Sequence, residues 1–364
     1  FMLESHFPAG INIALVIIPC FIIITNDMRI RILTNDMPNL VRQLIIIVCI
    51  TFVFIKMISS IVRRKELKEI IDTISADYDN FNSMPEDYQK IVQESIIKTK
   101  FFERIWMVAI AITASSYPAL ATVFTVYSQL FTDTPKSYMV HDCYVIFLSD
   151  EQRFQSPYFE MFNVFAMTTV WLIFIGFTGF DGMFTISIVH VSLKLRFISQ
   201  NLKHLLDSGY DGRKINQDIA KFVVEHCEIE RFIKKIQKCF EVWLVGVFFN
   251  AGLNIAMALS QTTSNDLNTY IYYCFAIATA VHIYLPCYLA ADVANYVKIC
   301  DFAYGCKWET IPDLRIRRSI AMIINRAQVP IRFRALGMLT YNMELYLKVG
   351  KSYSTLTECY GEAT

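Results

Sequence analysis

Few residues of this chain carry charge, and the two signs nearly cancel. Only 18% of the 364 residues are Asp, Glu, Lys or Arg, whereas 54% are hydrophobic. Soluble domains carry about 25% charged residues. The formal net charge is +1, which gives no electrostatic basis for binding nucleic acid. We therefore expect a membrane protein that has no nucleic-acid partner.

Sequence motifs for catalysis and for metal or cofactor binding are missing. No HExxH, GxSxG, GxGxxG or P-loop pattern occurs, and the six histidines lie far apart in the chain. The ten cysteines contain no CxxC pair, which removes the usual zinc and redox motifs, and we expect them to be small packing residues. We therefore predict no catalytic residue, no metal site, no cofactor and no enzymatic activity.

Long apolar stretches dominate what is present. A membrane-spanning helix needs about 20 mostly apolar residues, and six stretches meet that length: 8–27, 40–62, 104–130, 158–186, 239–260 and 269–292. A seventh, 336–360, has the length but is polar. The runs are continuous and do not alternate as barrel strands do. The predicted fold class is an all-α membrane protein with seven transmembrane helices.

Lysine and arginine are distributed unequally between alternate loops. The segments 63–104, 194–238 and 292–334 hold 26 of the 34. Because positively charged loops remain in the cytoplasm, we expect a cytoplasmic N-terminus and an extracellular C-terminus. G protein-coupled receptors have the opposite orientation, and their DRY and NPxxY motifs are absent. That class is therefore excluded.

The basic segments also have helical periodicity. Leu67, Ile70 and Ile74 recur at intervals of three to four residues, and similar patterns occupy 215–244 and 316–327. We expect spans four to seven to continue into the cytosol as helices that pack on each other and on neighbouring subunits. A helix on the membrane surface is the alternative for 63–81.

The predicted parts are 1–193, with helices one to four and an outer ligand pocket; 194–335, with cytosolic anchor helices and helices five and six; and 336–364, a pore-lining last helix.

The last span carries Glu344, Lys348, Lys351 and Glu358. A charge at the centre of a lipid-exposed helix costs about 2.5–3.5 kcal/mol, so this helix should face protein or water. Glu344 and Lys348 are four residues apart and can pair. Several copies around an axis would line a pore for cations; a buried helix with internally paired polar groups is the alternative. The predicted pore residues are Ser354, Thr357, Glu358, Gly361 and Glu362.

Pro330 interrupts the segment that precedes the last span. Proline lacks an N–H and clashes with the preceding turn, so we predict a hinge there, although any helix broken by proline has this pattern. Arg326, Arg332 and Arg334 surround it and suit lipid phosphate groups or cytosolic carboxylates. Membrane lipid is thus an expected partner.

Aromatic and small hydroxyl residues are frequent in the outer halves of spans two, three, four and six. An apolar cavity with a few hydroxyls suits a small volatile organic ligand, and ordinary packing is the alternative. The candidate ligand-binding residues are Val48, Phe52, Thr113, Ser116, Tyr117, Leu120, Phe162, Phe165, Ala166, Thr169, Tyr270 and Tyr273.

Asp181 and Lys56 are two of the charged residues within the predicted spans. We expect Asp181, between glycines near the inner end of span four, to pair with another helix; proton coupling is the alternative. Lys56 is expected to reach the inner head groups.

The C-terminal third contains three characteristic motifs: "CDFAYGCKWETIP" (300–312), "INRAQVPI" (324–331) and "KVGKSYSTL" (348–356). By these motifs it resembles the insect odorant receptor family. The layout of the spans and "RRKELKEII" extend the resemblance over nearly the whole chain. The ending "SYSTLTECY" departs from the commoner "SYSYFTLL", and the closing pattern of the sister gustatory family is absent.

The resemblance implies a ligand-gated, nonselective cation channel in the plasma membrane of olfactory sensory neurons. It implies that the chain forms a tetramer with a shared odorant co-receptor subunit and that cations permeate the channel. Odorants would bind among spans two, three, four and six, and the last span would line the pore. The chain resembles a tuning subunit because it is short and lacks the co-receptor's long second cytosolic loop. A transporter of small molecules, a gustatory-type receptor channel and a noncatalytic scaffold are the alternatives.

Overall fold

Long helices form most of the chain. The computed structural model describes residues 6–351 except 82, 147, 150, 204–210, 262–268, 295–302, 306 and 307. The helices are α1 (His6–Leu33), α2 (Met37–Val62), α3 (Arg64–Phe81), α4 (Glu86–Phe131), α5 (Tyr158–Lys203), α6 (Gly212–Gln261), α7 (Thr269–Ala294) and α8 (Leu314–Ala327). A further helical segment, α9, occupies 343–351. The all-α prediction is confirmed.

Each of the six apolar stretches lies within one helix. Among the described residues, α2, α4, α5, α6 and α7 are long and apolar enough to cross a membrane. The helices α4, α5 and α6 contain 46, 46 and 50 residues. At 1.5 Å per residue they are about 70 Å long, more than twice the hydrocarbon thickness of a bilayer. Extension beyond the apolar segment was predicted for spans four to seven, which include α5 and α6. The extension of α4, which is span three, was not predicted.

Local signals explain where two helices begin and one ends. The Asp36 side chain accepts a hydrogen bond from the Asn39 amide at the start of α2 (3.4 Å), and Pro38 occupies its first turn. Asp313 similarly caps α8 by accepting from the Arg315 amide (2.7 Å). Helix α8 stops at Ala327, so the expected break before Pro330 is present.

The helix α3 packs on the bundle. It contacts α2, α4, α5 and α6, and its apolar face (Leu67, Ile70 and Ile74) is buried. Asp77 on the same helix accepts hydrogen bonds from Lys194 (2.7 Å) and His190 (2.9 Å) of α5. These contacts favour packing against protein over the alternative of a helix lying on the membrane surface.

Two glycines bring α2 close to its neighbours. A Cβ atom on Gly246 of α6 would lie 2.5 Å from the Phe52 ring, and one on Gly176 of α5 would lie 2.7 Å from Val53. Such separations are below van der Waals contact, so any larger residue displaces these side chains. Phe52 and Val53 are thereby held in the centre of the bundle.

A small hairpin precedes the last helix. The strands β1 (Arg334–Ala335) and β2 (Leu339–Thr340) pair antiparallel, with Arg334 opposite Thr340. The turn between them holds Leu336 (φ 48°) and Gly337 (φ 74°) in the left-handed region, where a helix cannot continue. The last helix therefore begins at 343 and not at 336 as predicted.

Candidate functional site

A cavity of about 160 Å³ lies among the helices that were expected to bind ligand. Side chains from α1, α2, α4, α5, α6 and α7 line it, together with the 132–157 loop. Apolar and aromatic groups form most of its wall. Because an apolar cavity of about 150 Å³ binds benzene, this one has room for one ring with a short substituent.

Six of the twelve candidate ligand-binding residues line this cavity: Thr113, Tyr117, Phe162, Phe165, Ala166 and Thr169. The other six, Val48, Phe52, Ser116, Leu120, Tyr270 and Tyr273, lie elsewhere. Tyr270 and Tyr273 are 69% and 48% exposed, because they occupy the opposite face of α7. Phe52 is buried behind the cavity wall, with its ring 5.6 Å from that of Phe177.

The 132–157 loop closes one end of the cavity, which the sequence did not indicate. Met139, Val140, His141, Cys143 and Val145 line the cavity from this loop. The His141 ring lies 2.9 Å from the Gln43 amide oxygen of α2. Burial, reinforced by the positive charges of Arg42 and Arg31, lowers the pKa of His141 to about 3. The imidazole is therefore neutral at physiological pH.

Hydrogen bonds that involve charged side chains hold this loop against the first two helices. Asp142 accepts from Arg153 (2.6 Å), and its backbone carbonyl accepts from Arg42 (2.8 Å). Asp27 of α1 accepts from the Tyr144 amide (2.7 Å). Asp142 and Arg153 lie in the same loop, but the partners in the other two contacts are more than 90 residues apart in the chain. Local sequence patterns therefore do not reveal these contacts.

A buried ion pair lies below the cavity. Lys56 and Asp181 are 2% and 6% exposed, with Nζ 2.7 Å from Oδ1. Asp181 also accepts from the Trp243 indole (2.8 Å) and faces His282 Nε2 at 3.0 Å. The expected pairing of Asp181 with another helix is confirmed. The expectation for Lys56 is wrong: its ammonium points into the bundle, because a carboxylate and the face of the Phe177 ring (4.2 Å) receive it there.

His282 joins this ion pair to the cavity. It lines the cavity, and its ring stacks on Trp106 at 4.6 Å with an interplanar angle of 8°. Trp106 and Phe177 also line the cavity. All three were missed from the sequence. For Trp106 a signal existed: with Ile110, Thr113 and Tyr117 it follows the spacing of one helix face.

A polar pocket of about 670 Å³ adjoins Pro330. Arg332 and Arg334 line it together with Lys234 and Lys238 of α6. Arg326 instead pairs with Glu230 of α6. Two of the three arginines expected near the break thus share one basic pocket, and both the hinge at Pro330 and the lipid contact remain predictions.

The first turns of the last helix carry the expected charge pair. Lys348 Nζ lies 2.7 Å from Glu344 Oε1, and both side chains are more than 60% exposed in the single chain. The predicted pore residues at 354–362 lie outside the described part of the chain.

Known proteins resemble this chain in both sequence and fold. The family model described as 7tm Odorant receptor matches residues 36–353. Odorant receptor 85f of Drosophila melanogaster is 23% identical over 273 residues, which is 71% of this chain and 66% of that protein, just under two thirds of its length. A structure of the insect olfactory receptor OR5 from Machilis hrabei in complex with eugenol superposes with a TM-score of 0.79 at 15% identity, covering 99% of this chain and 91% of that one. A second structure of that receptor gives 0.78. At this identity the structural match shows a shared fold.

Proposed function

The chain belongs to the odorant receptor family, and we propose from this premise that it is the odorant-binding subunit of a heteromeric, ligand-gated, nonselective cation channel. A small volatile molecule occupies the cavity, and its binding favours opening of a pore lined by the last helix. The observation that carries this proposal is the apolar cavity of about 160 Å³ between α1, α2, α4, α5, α6 and α7. The protein is a multi-pass membrane protein of a receptor family and not an enzyme.

The size of the cavity is consistent with weak binding and effective gating. A ligand of about ten heavy atoms at roughly 0.5 kcal/mol per atom gains about 5 kcal/mol, which is a dissociation constant on the order of 100 μM. Raising open occupancy from about 1% to 50% requires a preference of roughly 2.7 kcal/mol for the open state. About half of the ligand's binding free energy would therefore have to come from contacts that are stronger in the open state than in the closed state.

Helix α7 provides a direct path from the cavity to the last helix. Thr279 and His282 line the cavity, and Tyr284, two residues further on, contacts the Tyr346 ring of α9 (5.3 Å between centroids). Tyr341, which precedes α9, is 2% exposed and donates to the Leu244 carbonyl of α6. A ligand that shifts α7 therefore acts directly on the Tyr346 anchor of the last helix, whereas the Tyr341 anchor lies on α6, which also lines the cavity.

The remaining features of the proposal concern assembly and location. The exposed Glu344 and Lys348 in an otherwise apolar chain support a last helix that faces water or neighbouring subunits. We place this subunit with a shared co-receptor in a tetramer, in the plasma membrane of olfactory sensory neurons, with its N-terminus inside.

Current recordings test the proposal. Cells that express this chain with the co-receptor should give cation currents when volatile compounds are applied, and cells that lack either subunit should not. Normal surface expression without any response, or uptake of the volatile without current, would reject the channel function.

A charge reversal tests the pore. Glu358→Lys should alter cation permeation or block, because a lysine repels cations at the mouth of a pore. Glu86→Lys, an exposed acidic position at the start of α4, is the control and should leave permeation unchanged. Normal permeation in Glu358→Lys would place Glu358 away from the conduction path.

A further inference from the structure

We propose that the basic pocket beside Pro330 binds a phosphate-bearing anion at the cytosolic surface of the membrane: the phosphorylated head group of an inositol lipid, or the same group as a soluble inositol phosphate. The pocket has a volume of about 670 Å³ and shares no lining residue with the odorant cavity. The inference does not depend on the proposed channel function. The charged residues that line the pocket are four cations and one carboxylate: Lys234, Lys238, Arg332, Arg334 and Glu241.

The two arginines form one wall of the pocket because of the segment on which they lie. Phe333 and Ala335 are fully buried, and the Phe333 ring packs against Phe184 with the ring centroids 6.5 Å apart. Arg332 and Arg334 alternate with these residues and are exposed. Since alternate side chains of an extended segment point to opposite faces, both arginines project away from the core and toward the same side.

Helix α6 forms the opposite wall. Lys234 and Lys238 are four residues apart and therefore lie on one face of the helix, and Glu241 follows them on that face. The pocket thus brings together cations from two segments that are about 100 residues apart in the chain. An arrangement of this kind gives an anion donors on two sides.

The charges of the pocket are only partly balanced. Lys238 lies 3.5 Å from Glu66, and Glu241 lies 3.9 Å from Arg63, so each of these two lining charges has a partner outside the pocket. The other three cations form no ion pair with any residue that the structure describes. Three positive charges therefore face the pocket without a counter-charge.

This charge selects the kind of anion. A phosphate diester, as in an ordinary phospholipid, carries one negative charge, whereas a phosphate monoester carries about −1.5 to −2 at pH 7 and offers three strong acceptor oxygens. Arginine presents a planar set of donors that matches phosphate geometry. A head group with one or more phosphate monoesters therefore fits three unpaired cations better than a simple phospholipid does.

The pocket also lies at the inner boundary of the membrane. The apolar stretch 40–62 of α2 ends just before Arg63, which contacts Glu241 of the pocket. Phe249 follows Lys238 by eleven residues, which places it about 16 Å further into the membrane on nearly the same face of α6. Phe249 is 59% exposed. A lipid whose head group occupies the pocket can therefore lay a chain along exposed apolar surface, and clusters of basic residues at this depth are typical of sites for anionic lipids.

An anion in the pocket would connect α6 to the segment that leads into the last helix. The arginines lie at the start of the β1–β2 hairpin, and α9 follows that hairpin directly. Like charges on the two walls repel each other when the pocket is empty, and a bound anion replaces this repulsion with attraction on both sides. The ligand therefore stabilises the position of the hairpin against α6.

Titration of the purified chain tests the site. The full chain in an uncharged detergent receives dioctanoyl phosphatidylinositol 4,5-bisphosphate, inositol 1,4,5-trisphosphate, inorganic phosphate or dioctanoyl phosphatidylcholine, and its unfolding temperature is measured. We expect the bisphosphate lipid to raise that temperature by at least about 2 °C, because a ligand that binds only the folded protein stabilises it, and phosphatidylcholine to leave it unchanged. Equal shifts with the two lipids, or no shift with either inositol compound, would overturn the inference.

The same titration distinguishes the two sources of the anion. If the ligand is a lipid, the dioctanoyl compound should reach half of its effect at a concentration at least about tenfold lower than inositol trisphosphate, because its chains contact the exposed face of α6. Equal half-maximal concentrations would identify the soluble inositol phosphate as the ligand. Either result supports the site, and a shift that inorganic phosphate alone reproduces at the same concentration would reject both.

A double substitution tests the arginines. Arg332→Gln/Arg334→Gln removes two of the three unpaired charges and should raise the half-maximal concentration about tenfold or more. Arg315→Gln/Arg318→Gln is the matched control, because it removes two exposed arginines of α8 that do not line the pocket, and it should change that concentration less than about twofold. Equal values in the two double variants would overturn the assignment of the site.

Lys234→Gln tests the opposite wall and serves if the arginine variant does not fold. It should raise the half-maximal concentration about threefold or more, and a wild-type value would count against the pocket. The competing occupant is an acidic surface of a neighbouring subunit. Arginine variants that no longer co-purify with the co-receptor, together with a wild-type chain that responds to none of the phosphate compounds, would assign the pocket to that contact and overturn the inference.

Discussion

At the scale of single residues, the ion pair of Lys56 and Asp181 is the most constrained feature of the bundle. Removing one partner of a buried pair leaves an uncompensated charge, at a cost of about 3–5 kcal/mol. We predict that Lys56→Met lowers the thermal unfolding temperature of the purified protein and its surface expression. The double variant Lys56→Met/Asp181→Asn should recover part of the loss, because it leaves no unpaired charge. Additive effects of the two substitutions would show that the pair does not couple them.

His141 gives a prediction for pH. Its pKa is about 3 in the folded protein and about 6.5 when unfolded, so its stabilising contribution is complete above pH 6.5 and is lost as the pH falls below that value. Between pH 7 and pH 5 the loss is on the order of 1–2 kcal/mol. His141→Gln should therefore show a smaller decrease in unfolding temperature over this interval than the wild type. Both proteins should behave alike between pH 8 and pH 7, and identical slopes below pH 7 would contradict the assignment.

The residues that line the cavity were only partly predictable from sequence. Thr113 and Tyr117 were found because they lie in an apolar, hydroxyl-bearing segment of one helix, and the same spacing extended to Trp106 would have found that residue too. His282 and the 132–157 loop were not predictable in this way. Their positions depend on which helices adjoin and on hydrogen bonds between distant segments, such as the one that Asp27 accepts from the Tyr144 amide.

At the scale of helices, the close approach of α2 and α6 gives a prediction with an internal control. Gly246→Ala places a Cβ atom 2.5 Å from the Phe52 ring, which must move away from its position 5.6 Å from the rings of Phe177 and His282. We expect a reduced odorant response, measured as a higher half-maximal concentration.

Gly179→Ala in α5 is the control for this substitution. A Cβ atom there meets no heavy atom within 4 Å, so the response should remain that of the wild type, since alanine also favours helix. A Gly246→Ala variant with wild-type sensitivity would show that Phe52 does not support the cavity wall.

The helices themselves were predictable because bilayer thickness makes apolar length a strong signal. The start of the last helix was not. The turn before it depends on a left-handed backbone at Leu336 (φ 48°), and leucine gives no indication of that conformation. Gly337 alone was compatible with a turn, but a single glycine does not distinguish a turn from a flexible position in a helix.

At the scale of the whole molecule, the distribution of charge predicts orientation. The basic residues collect at the end of the bundle that carries α3 and α8, opposite the 132–157 loop. We predict that antibody labels a C-terminal epitope tag on intact cells and an N-terminal tag only after permeabilisation. A cytosolic marker protein that stays unlabelled in intact cells controls for membrane damage. The reverse labelling pattern would contradict the orientation.

The modest volume of the cavity also limits how long a ligand stays bound. A guest held with a dissociation constant on the order of 100 μM, arriving at about 10⁷ M⁻¹s⁻¹, departs at roughly 10³ s⁻¹. Occupancy then follows the surrounding concentration within about a millisecond. A receptor with this cavity of about 160 Å³ would respond separately to successive brief pulses of odorant. An earlier dose would leave little residual occupancy when the next one arrives.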